Sequence, residues 1–293
     1  MSGDTTTAAK DNSTVAIVCG GGSLPFALAD AAQRRGRRAI LFALIGWADP
    51  ERVANYPHHW WRMGQFTRLI RIAEQEGCRD IVFIGSVTRP SWWQIRPDFR
   101  ALWYVPQLIH LFRGGDDRLQ SGVGRIVEQY GFRLLGPQDV APELMMPLGP
   151  LSSRLPSERD RADIARGLAV LRATSPFDIG QAVVVAHNQV LAVEGPEGTD
   201  QALARVAELR RIGRIRTPAG VGVLVKAPKI GQDQRLDLPS IGPQTVDRAV
   251  AARLAGIAIV AGSSIVAEPE WLTVAADRAK MFVVGVNADG TVP

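Results

Sequence analysis

The chain has 293 residues, of which 46% are apolar and 22% are charged, and this length suits about two globular domains. The composition excludes disordered and collagenous proteins, and two cysteines are too few for a disulfide scaffold or a zinc site built from cysteines. Lys and Arg number 34 against 29 Asp and Glu, a modest excess of +5 that permits an anionic ligand or an anionic membrane surface without requiring either.

The sequence contains no predicted membrane span. Its longest uncharged stretches, 39–48 and 254–267, fall short of the roughly 20 apolar residues that a membrane helix needs. Residues 1–13 are polar, lack the apolar centre of a signal peptide, and are predicted to be a disordered lead-in. We therefore expect a cytoplasmic protein in which Cys19 and Cys78 are packed thiols of a reducing compartment.

The first half, residues 14–137, alternates apolar strands with helices, which predicts a parallel sheet with right-handed crossovers. Pro25 suits the first turn of the first helix, and the three predicted helices stop at Gly36, Gly77 and Gly131. The predicted strands are 15–19, 39–45 and 81–84, and the predicted helices are 24–35, 66–76 and 118–130. We interpret this half as a Rossmann-like N-terminal domain.

A cluster of prolines follows, and it predicts a linker at residues 138–156, because proline interrupts both helices and central strands. The prolines are Pro137, Pro142, Pro147, Pro150 and Pro156.

The second half, residues 157–287, has a different order of elements and predicts mixed rather than purely parallel strand pairing. Ser157 and Asp160 form an approximate capping box for its first helix, and Thr199 is the predicted N-cap of its second. The polar residues 187–189 between two apolar runs predict a hairpin. The predicted strands are 181–186, 190–193, 222–226, 257–261 and 282–286, and the predicted helices are 157–173, 199–211, 244–254 and 270–279.

Three consecutive glycines, Gly20 to Gly22, stand before Ser23 where the first strand meets the first helix. A backbone without Cβ atoms at a helix N-terminus can approach a phosphate closely, so Gly21, Gly22 and Ser23 are candidate phosphate contacts. A dinucleotide fingerprint would need glycine in place of Pro25 and an acid directly after the second strand, where none occurs before Asp49. A nicotinamide cofactor is therefore not expected, while a phosphate contact and a turn made tight for packing both remain open.

The densest group of charged residues follows the strand at 222–226. Lys226 and Lys229 are two of only four lysines, and Asp233, Arg235 and Asp237 follow closely. Parallel α/β sheets present ligand sites at the carboxyl ends of their strands. The cations could neutralise a diphosphate, and the carboxylates could hold a hard metal ion or orient water. A solvated loop with surface ion pairs is the alternative.

Two further acidic segments lie at predicted helix starts. The segment from Glu194 to Asp200 ends one strand and begins a helix, so it suits metal or ribose contacts, or simply the capping of that helix. Asp116 and Asp117 precede another helix, where they could contribute to an interdomain site or only complement the helix dipole.

Six of the seven tryptophans fall between Trp47 and Trp103. Trp92, Trp93 and Trp103 are interleaved with arginines, a pattern that suits a membrane interface with anionic headgroups, stacking on single-stranded nucleic acid, or core packing.

The four histidines show no metal-ligand spacing, and no Gly-x-Ser-x-Gly motif is present, so we expect the histidines to be structural.

Long ordered motifs resemble the LpxI family, the UDP-2,3-diacylglucosamine pyrophosphatases of lipid A biosynthesis. The resemblance spans residues 15–285 and is strongest in the second half. The matching segments are 180–185, 192–200, 224–229, 232–233, 235, 237–242 and 245–246, with 20–25, 116–117 and 131–132 in the first half.

The resemblance implies a two-domain α/β fold with a Rossmann-like N-terminal domain and a mixed α/β C-terminal catalytic domain. The implied reaction is the hydrolysis of UDP-2,3-diacylglucosamine to UMP and 2,3-diacylglucosamine 1-phosphate (lipid X), with Mg²⁺ or another divalent cation. The substrate would lie between the two domains. The implied partners are these two lipids and, transiently, the inner-membrane surface, without nucleic acid and with a homodimer left open.

Asp233 matches the family's essential catalytic aspartate, and it is the candidate metal ligand, although a water-orienting role is equally open. Lys226, Lys229 and Arg235 would supply positive charge, and Asp237, Glu194, Glu197 and Asp200 are candidates for a second metal contact. The expected substrate-binding residues are Gly21, Gly22, Ser23, Asp116, Asp117, Gln181, Glu197, Gly198, Thr199, Asp200 and Gln232. Ile230 departs from the family pattern, which has proline at that position. The alternative function is a nucleotide-sugar or UDP-lipid binding protein that does not hydrolyse its ligand.

The tryptophan-rich segment gives the first testable prediction. If these side chains contact a membrane surface, replacing Trp92 or Trp93 by alanine removes amphipathic rings from the interface and weakens co-sedimentation with anionic lipid vesicles. Co-sedimentation equal to that of the unchanged protein would exclude this membrane contact.

Overall fold

The computed structural model describes residues 13–87 and 116–291. Within these residues the chain divides into two compact units. Unit 1 comprises 13–87 and 121–141, and unit 2 comprises 116–120 and 142–291.

Unit 1 contains a five-stranded sheet in the order β3-β2-β1-β4-β5, in which all neighbouring strands are parallel. The central strands β1 and β2 are buried along nearly their whole length, as their uninterrupted apolar sequences predict. The elements up to residue 141 are β1 (Thr14–Cys19), α1 (Leu24–Arg34), β2 (Ala39–Leu44), α2 (Pro50–Val53), β3 (His58–Trp61), α3 (Phe66–Gln75), β4 (Cys78–Ile84), α4 (Asp116–Gln129), β5 (Arg133–Leu134) and α5 (Pro137–Val140).

The strands and helices predicted for the first half are confirmed to within a few residues, whereas the short elements α2, α5 and β5 and the four-residue strand β3 were not predicted. Its sequence, His58-His59-Trp60-Trp61, lacks the apolar alternation by which a strand is recognised. Pairing with β2 stabilises it, and the Trp61 indole N–H donates to the Phe42 carbonyl at 3.0 Å. Trp61 is buried, whereas Trp47 and Trp60 are half-buried.

Close backbone approach accounts for two of the three consecutive glycines. Gly21 and Ser86 exchange backbone hydrogen bonds of 2.8 and 2.9 Å, joining the turns that follow β1 and β4. A Cβ atom on Gly20 would lie 2.7 Å from the Ser86 carbonyl oxygen, too close for any side chain. Gly22 has a φ of +88° and open space around it, so only its backbone conformation requires glycine.

Unit 2 contains a six-stranded sheet in the order β6-β13-β11-β9-β7-β8. The strands β9, β11 and β13 are parallel, whereas β6, β7 and β8 run antiparallel to their neighbours, which confirms the predicted mixed pairing. A separate parallel pair joins β10 and β12. The elements are β6 (Gly149–Pro150), α6 (Glu158–Thr174), β7 (Ala182–Ala186), β8 (Gln189–Val193), α7 (Gly198–Arg211), β9 (Val223–Lys226), β10 (Ser240–Ile241), α8 (Pro243–Ala251), β11 (Gly256–Val260), β12 (Ile265–Val266), α9 (Pro269–Arg278) and β13 (Phe282–Val286), with short 3-10 helices at Pro142–Leu144 and Ser175–Phe177.

Helices cover both faces of the large sheet in unit 2. Alternate strand residues such as Val183 and Val225 pack with Ile164 and Leu168 of α6 on one face. On the other face, Val184 and Leu224 belong to a cluster that α7, α8 and α9 complete. The core therefore has three layers, and the period-two alternation of the strands decides which side chain faces which helix. The segment predicted as a linker, residues 138–156, contains the end of α5, a 3-10 helix and β6.

Local sequence patterns predicted one helix start and one hairpin turn in unit 2. Ser157 caps α6 in a reciprocal capping box with Asp160, as expected. His187 and Asn188 form the hairpin turn between β7 and β8 with φ values of +52° and +62°, the geometry of a type I′ turn. The buried carboxylate of Asp163 accepts hydrogen bonds from the backbone N–H groups of both turn residues, at 3.1 and 2.5 Å.

The prediction that Thr199 caps α7 is wrong. The helix begins at Gly198 after Glu197 as N-cap residue, and the cap residue makes no side-chain capping bond. The hydroxyl of Thr199 binds other side chains instead, so a residue that suits capping is used in a polar network.

Both cysteines are buried free thiols, as predicted. Burial raises the pKa of Cys19 to about 12 and that of Cys78 to about 11, so both thiols stay protonated at neutral pH.

None of the helices within 13–87 and 116–291 combines the length and the apolarity required to cross a bilayer. Of the predicted lead-in, residues 1–13, the structure describes Ser13 alone, and the tryptophans Trp92, Trp93 and Trp103 lie outside the described residues.

A buried carboxylate joins the sheet of unit 1 to its flanking segments. Asp80 on β4 is fully buried and accepts hydrogen bonds from Ser13 at 2.8 Å and from Arg133 at 2.7 and 3.0 Å, while Arg37 contacts the same carboxylate. Burial alone would raise the pKa of Asp80, but the hydrogen bonds from Arg133, Ser13 and Arg37 outweigh it and hold that pKa below its usual value.

We expect Asp80→Asn to lower the free energy of unfolding by about 3 kcal/mol at pH 7, because it removes the buried negative charge with which Arg37 and Arg133 pair. Since the folded-state pKa is depressed, the stabilisation is present above the unfolded-state pKa of about 4 and is lost as pH falls through the folded-state pKa. Urea unfolding at pH 7 and pH 3 measures both effects. Glu74→Gln, at an exposed position of α3, is the control, and equal urea midpoints for the two variants at pH 7 would contradict the prediction.

Candidate functional site

The charged segment singled out in the sequence forms a long loop between β9 and β10. We call residues 227–239 the polar loop. It begins after Lys226, the last residue of β9, and ends before Ser240, the first residue of β10. It therefore leaves the sheet at the carboxyl end of a strand that is parallel to β11.

Lys226 is buried at the start of the polar loop, with 7% of the residue exposed. Its ammonium group donates to the hydroxyl of Thr199 at 3.0 Å and to the Ser240 carbonyl oxygen at 2.9 Å. Burial lowers the pKa of Lys226, and the negative charges of Glu194, Asp237 and Asp200 oppose that effect. Lys226 is thus a buried cation surrounded by acidic side chains.

Glu194 anchors the residues around Lys226. One of its carboxylate oxygens accepts the Thr199 hydroxyl at 2.7 Å, and the other accepts the Gln181 backbone N–H at 2.7 Å. Both oxygens of this carboxylate are therefore used inside the protein, although the sequence suggested Glu194 as a metal contact.

Side-chain amides fix the middle of the polar loop. The Gln181 amide nitrogen donates to Gln232 at 3.1 Å and to Asp237 at 2.7 Å, and the Gln232 amide nitrogen also contacts Asp237. The carbonyl oxygen of the same Gln232 side chain accepts the backbone N–H of Lys229 at 3.0 Å. Gln232 is buried, so these contacts form the interior of the loop.

Asp233 and Arg235 form a close pair on the more exposed part of the loop. Arg235 donates to one carboxylate oxygen through its Nε and its backbone N–H, each at 3.0 Å, and to the other through Nη2 at 2.8 Å. The side chains are 25% and 40% exposed. The hydrogen bond from Arg235 lowers the pKa of Asp233, so that this carboxylate is ionised at neutral pH.

Lys229 connects the polar loop to the segment before β7. Its ammonium group forms an ion pair with Asp178, and the backbone N–H of the next residue, Ile230, donates to the Ser175 hydroxyl at 2.7 Å. These contacts bring Ile230, which is 69% exposed, next to the turn that carries Phe177, which is 74% exposed. An apolar surface thus borders the charged loop.

The structure brings together six residues named from the sequence: Gln181, Glu194, Thr199, Lys226, Gln232 and Asp237. The negative charge of Asp200 raises the pKa of Lys226 against the lowering effect of burial, and no described hydrogen bond joins the two side chains. Lys229, Asp233 and Arg235 lie on the polar loop, and the other predicted contacts have no described side-chain bond to this network. Glu197 pairs with Arg205 at 3.2 Å, Gly198 begins α7, Gly21, Gly22 and Ser23 belong to unit 1, and the side chains of Asp116 and Asp117 at the start of α4 lie outside the described side chains.

Sequence reasoning missed Ser175, Asp178 and Ser240. Ser240 takes part through its backbone carbonyl, which no side-chain pattern can indicate. Asp178 has a φ of +55°, a conformation in which aspartate is enriched, but this explains the turn and not its contact with Lys229.

The residues around the polar loop offer few ligands for the expected metal ion. Within the described parts of the chain, no three His, Cys, Asp or Glu side chains are grouped closely enough to hold an ion. Mg²⁺, however, usually keeps several waters and binds one or two carboxylates together with substrate phosphates. The partly exposed carboxylate of Asp233 suits such a ligand, whereas both oxygens of Glu194 already accept hydrogen bonds inside the protein.

Both halves of the chain match models of one protein family. Residues 14–144 match the model described as the LpxI N-terminal domain, and residues 147–284 match the LpxI C-terminal domain. A relative from Caulobacter vibrioides, UDP-2,3-diacylglucosamine pyrophosphatase LpxI, is 40% identical over 271 residues. The alignment covers 92% of this chain and 96% of that relative.

The packing around Glu194 gives a test of the site that removes no functional group. A Cβ atom on Gly180 would lie 2.3 Å from the Glu194 carbonyl oxygen and 2.8 Å from its Cβ atom, so Gly180→Ala must displace Glu194. We expect it to lower the free energy of unfolding of unit 2 by about 1–3 kcal/mol, measured by denaturant titration.

Ala219→Ser, which adds one heavy atom at an exposed position, is the matched control and should change stability by less than about 0.5 kcal/mol. If Gly180→Ala were as neutral as this control, Glu194 would not be held as tightly as the contacts indicate.

Proposed function

This chain belongs to the LpxI family, and we propose that it is an enzyme that hydrolyses the pyrophosphate of UDP-2,3-diacylglucosamine in lipid A biosynthesis. The products would be UMP and 2,3-diacylglucosamine 1-phosphate. One observation supports this most directly: an ionised, partly exposed Asp233 lies beside Arg235 on a loop in which Gln232 and Asp237 are hydrogen-bonded to Gln181. A loop that was only solvated surface would not need such an interior.

Arg235 suits the reaction because it can change partners. In the free protein its guanidinium group satisfies both oxygens of Asp233. A diphosphate offers stronger bidentate acceptors, so we infer that Arg235 moves to a phosphate when substrate binds. That movement frees the Asp233 carboxylate to orient water or to bind Mg²⁺.

The proposed Mg²⁺ would neutralise phosphate charge and lower the pKa of a bound water. Of the described residues, Asp233 is the one proposed to hold it, with the substrate phosphates and water as further ligands. Lys229 is paired with one oxygen of Asp178, so its proposed contribution to substrate binding would use another donor of the same ammonium group or an exchange of that ion pair. The ion pair explains how Lys229 stays ordered in the absence of substrate.

The exposed apolar side chains beside the loop suit a lipid substrate. Phe177, Ile179 and Ile230 expose 74%, 38% and 69% of their surfaces, and the contacts of Lys229 and Ile230 hold them near the same loop as Asp233. We infer that acyl chains of the substrate pack here. The sequence motifs alone gave no apolar surface for these chains.

For unit 1 we propose a Rossmann-like fold, and the parallel strand order β3-β2-β1-β4-β5 supports it. Phosphate or substrate contacts of Gly21, Gly22, Ser23, Asp116 and Asp117 stay predictions. The same holds for the cytoplasmic location, for transient contact with the inner membrane and for a homodimer.

Hydrolysis of purified UDP-2,3-diacylglucosamine tests the proposal. We expect UMP release with Mg²⁺, its loss in EDTA, and a fall in kcat of at least about 100-fold in Asp233→Asn, because the charge on this carboxylate is removed while its shape is kept. Asp247→Asn, at an exposed position of α8, is the control and should keep full activity.

Three outcomes separate the alternatives. Full activity of Asp233→Asn would overturn the catalytic assignment. Activity that persists in EDTA would overturn the metal requirement. Binding of the UDP-lipid by the unchanged protein without UMP release would favour the non-hydrolytic binding protein instead.

A further inference from the structure

The two ends of the polar loop meet at one side chain. Lys226 lies immediately before the loop and Ser240 immediately after it, and the Lys226 ammonium group donates to the Ser240 carbonyl oxygen at 2.9 Å. The Lys226 ammonium group thus links the two ends of the thirteen-residue loop, 227–239, in addition to the backbone hydrogen bonds that Ala227 donates to Gln181 and that Pro239 accepts from Ile265. The loop carries Asp233 near its middle.

Lys226 is itself held by a chain of hydrogen bonds that ends at the sheet. Its second donated bond goes to Thr199 at 3.0 Å, Thr199 donates to Glu194 at 2.7 Å, and Glu194 accepts the Gln181 backbone N–H at 2.7 Å. A buried ammonium group is tolerated only where hydrogen bonds and opposite charge replace its hydration. The position of the cation is thus fixed by Thr199 and Glu194.

A second branch of the same network reaches the interior of the loop. Gln181, whose backbone binds Glu194, extends its side chain to Gln232 and Asp237, the residues that flank Asp233 in the loop. The Asp233 carboxylate is paired with Arg235, and its link to this network is the backbone carbonyl oxygen, which accepts the Asp237 backbone N–H at 3.2 Å. Its position depends on how firmly the loop around it is held.

We propose that Glu194, Thr199 and Lys226 form a clasp that closes the polar loop and thereby positions Asp233. Lys226 is then a positioning residue and does not contact the diphosphate. The effect of the clasp on catalysis rests on the proposed function, whereas its effect on the loop does not.

The rival assignment is that Lys226 binds a phosphate of the substrate directly. Its burial speaks against this, because 7% of the residue is exposed and two of the three ammonium N–H groups already donate inside the protein. The two assignments differ in a measurable way. A clasp orders the loop before any ligand is present, whereas a substrate contact leaves the order of the free loop unaffected.

Hydrogen–deuterium exchange of the full-length protein without ligand tests the clasp. Thr199→Val keeps the shape of the side chain but removes the hydroxyl that links Glu194 to Lys226, and Lys226→Met removes the ammonium group. We expect amides of residues 227–239 to exchange about tenfold faster or more in both variants, since hydrogen bonds to a charged group are lost. Peptides from β11 and β13 should keep their protection, which shows that unit 2 remains folded.

Two further variants complete the design. Thr199→Ser restores a hydroxyl and should return the exchange of the loop close to its original rate. Lys280→Met removes an exposed lysine between α9 and β13 and should change neither the exchange of the loop nor the activity. Exchange of residues 227–239 that is unchanged in both Thr199→Val and Lys226→Met would overturn the proposal.

Kinetics with UDP-2,3-diacylglucosamine then connect the loop to catalysis. A positioning role predicts that kcat of Thr199→Val falls by about tenfold or more while KM stays within about twofold. A rise in KM of Lys226→Met with unchanged loop exchange would instead support direct substrate contact and overturn the clasp. If the unchanged protein released no UMP, the proposed function would fail, while the exchange experiment would still decide whether the clasp exists.

Discussion

A buried ammonium group imposes the main constraint on the second unit. Removing Lys226 from water is unfavourable unless hydrogen bonds and opposite charges replace its hydration, and burial does lower its pKa. Every partner that compensates this cost must therefore be held in place: Thr199, the Ser240 carbonyl oxygen and the surrounding carboxylates. This requirement also orders the polar loop, because the loop begins directly after Lys226 and ends directly before Ser240.

Mixed strand pairing is what brings the partners of Lys226 together. Because β7 is antiparallel to β9, its first residue, Ala182, lies opposite Lys226, the last residue of β9. Gln181 is thereby placed beside the base of the loop. The hairpin then returns β8 along β7, so that Glu194 arrives next to Gln181. A purely parallel sheet would leave the start of β7 at the opposite edge, far from the carboxyl end of β9.

Sequence patterns predicted most of the strands and helices because those patterns are local. Apolar runs, capping residues and turn residues predicted β1, α6 and the β7–β8 hairpin. The order of the predicted elements in the second half also predicted the mixed strand pairing of unit 2. The contacts of the site were harder to predict, since they join residues such as Lys226 and Thr199 that are far apart in the chain. Thr199 shows the difficulty: its position before a helix suggested a cap, but its hydroxyl binds Glu194 and Lys226. The contacts of Asp178 and Ser240 left no trace in the sequence at all.

One departure from the family pattern gains a structural reason. The resemblance implies proline where this chain has Ile230, and proline has no backbone N–H to donate. Here that N–H binds the Ser175 hydroxyl at 2.7 Å, next to the ion pair between Lys229 and Asp178. Proline would stiffen the loop by fixing its own φ, whereas isoleucine allows the loop to be tied to the segment before β7. Two different physical means can therefore hold the same loop. The isoleucine also adds an exposed apolar side chain beside the turn that carries Phe177.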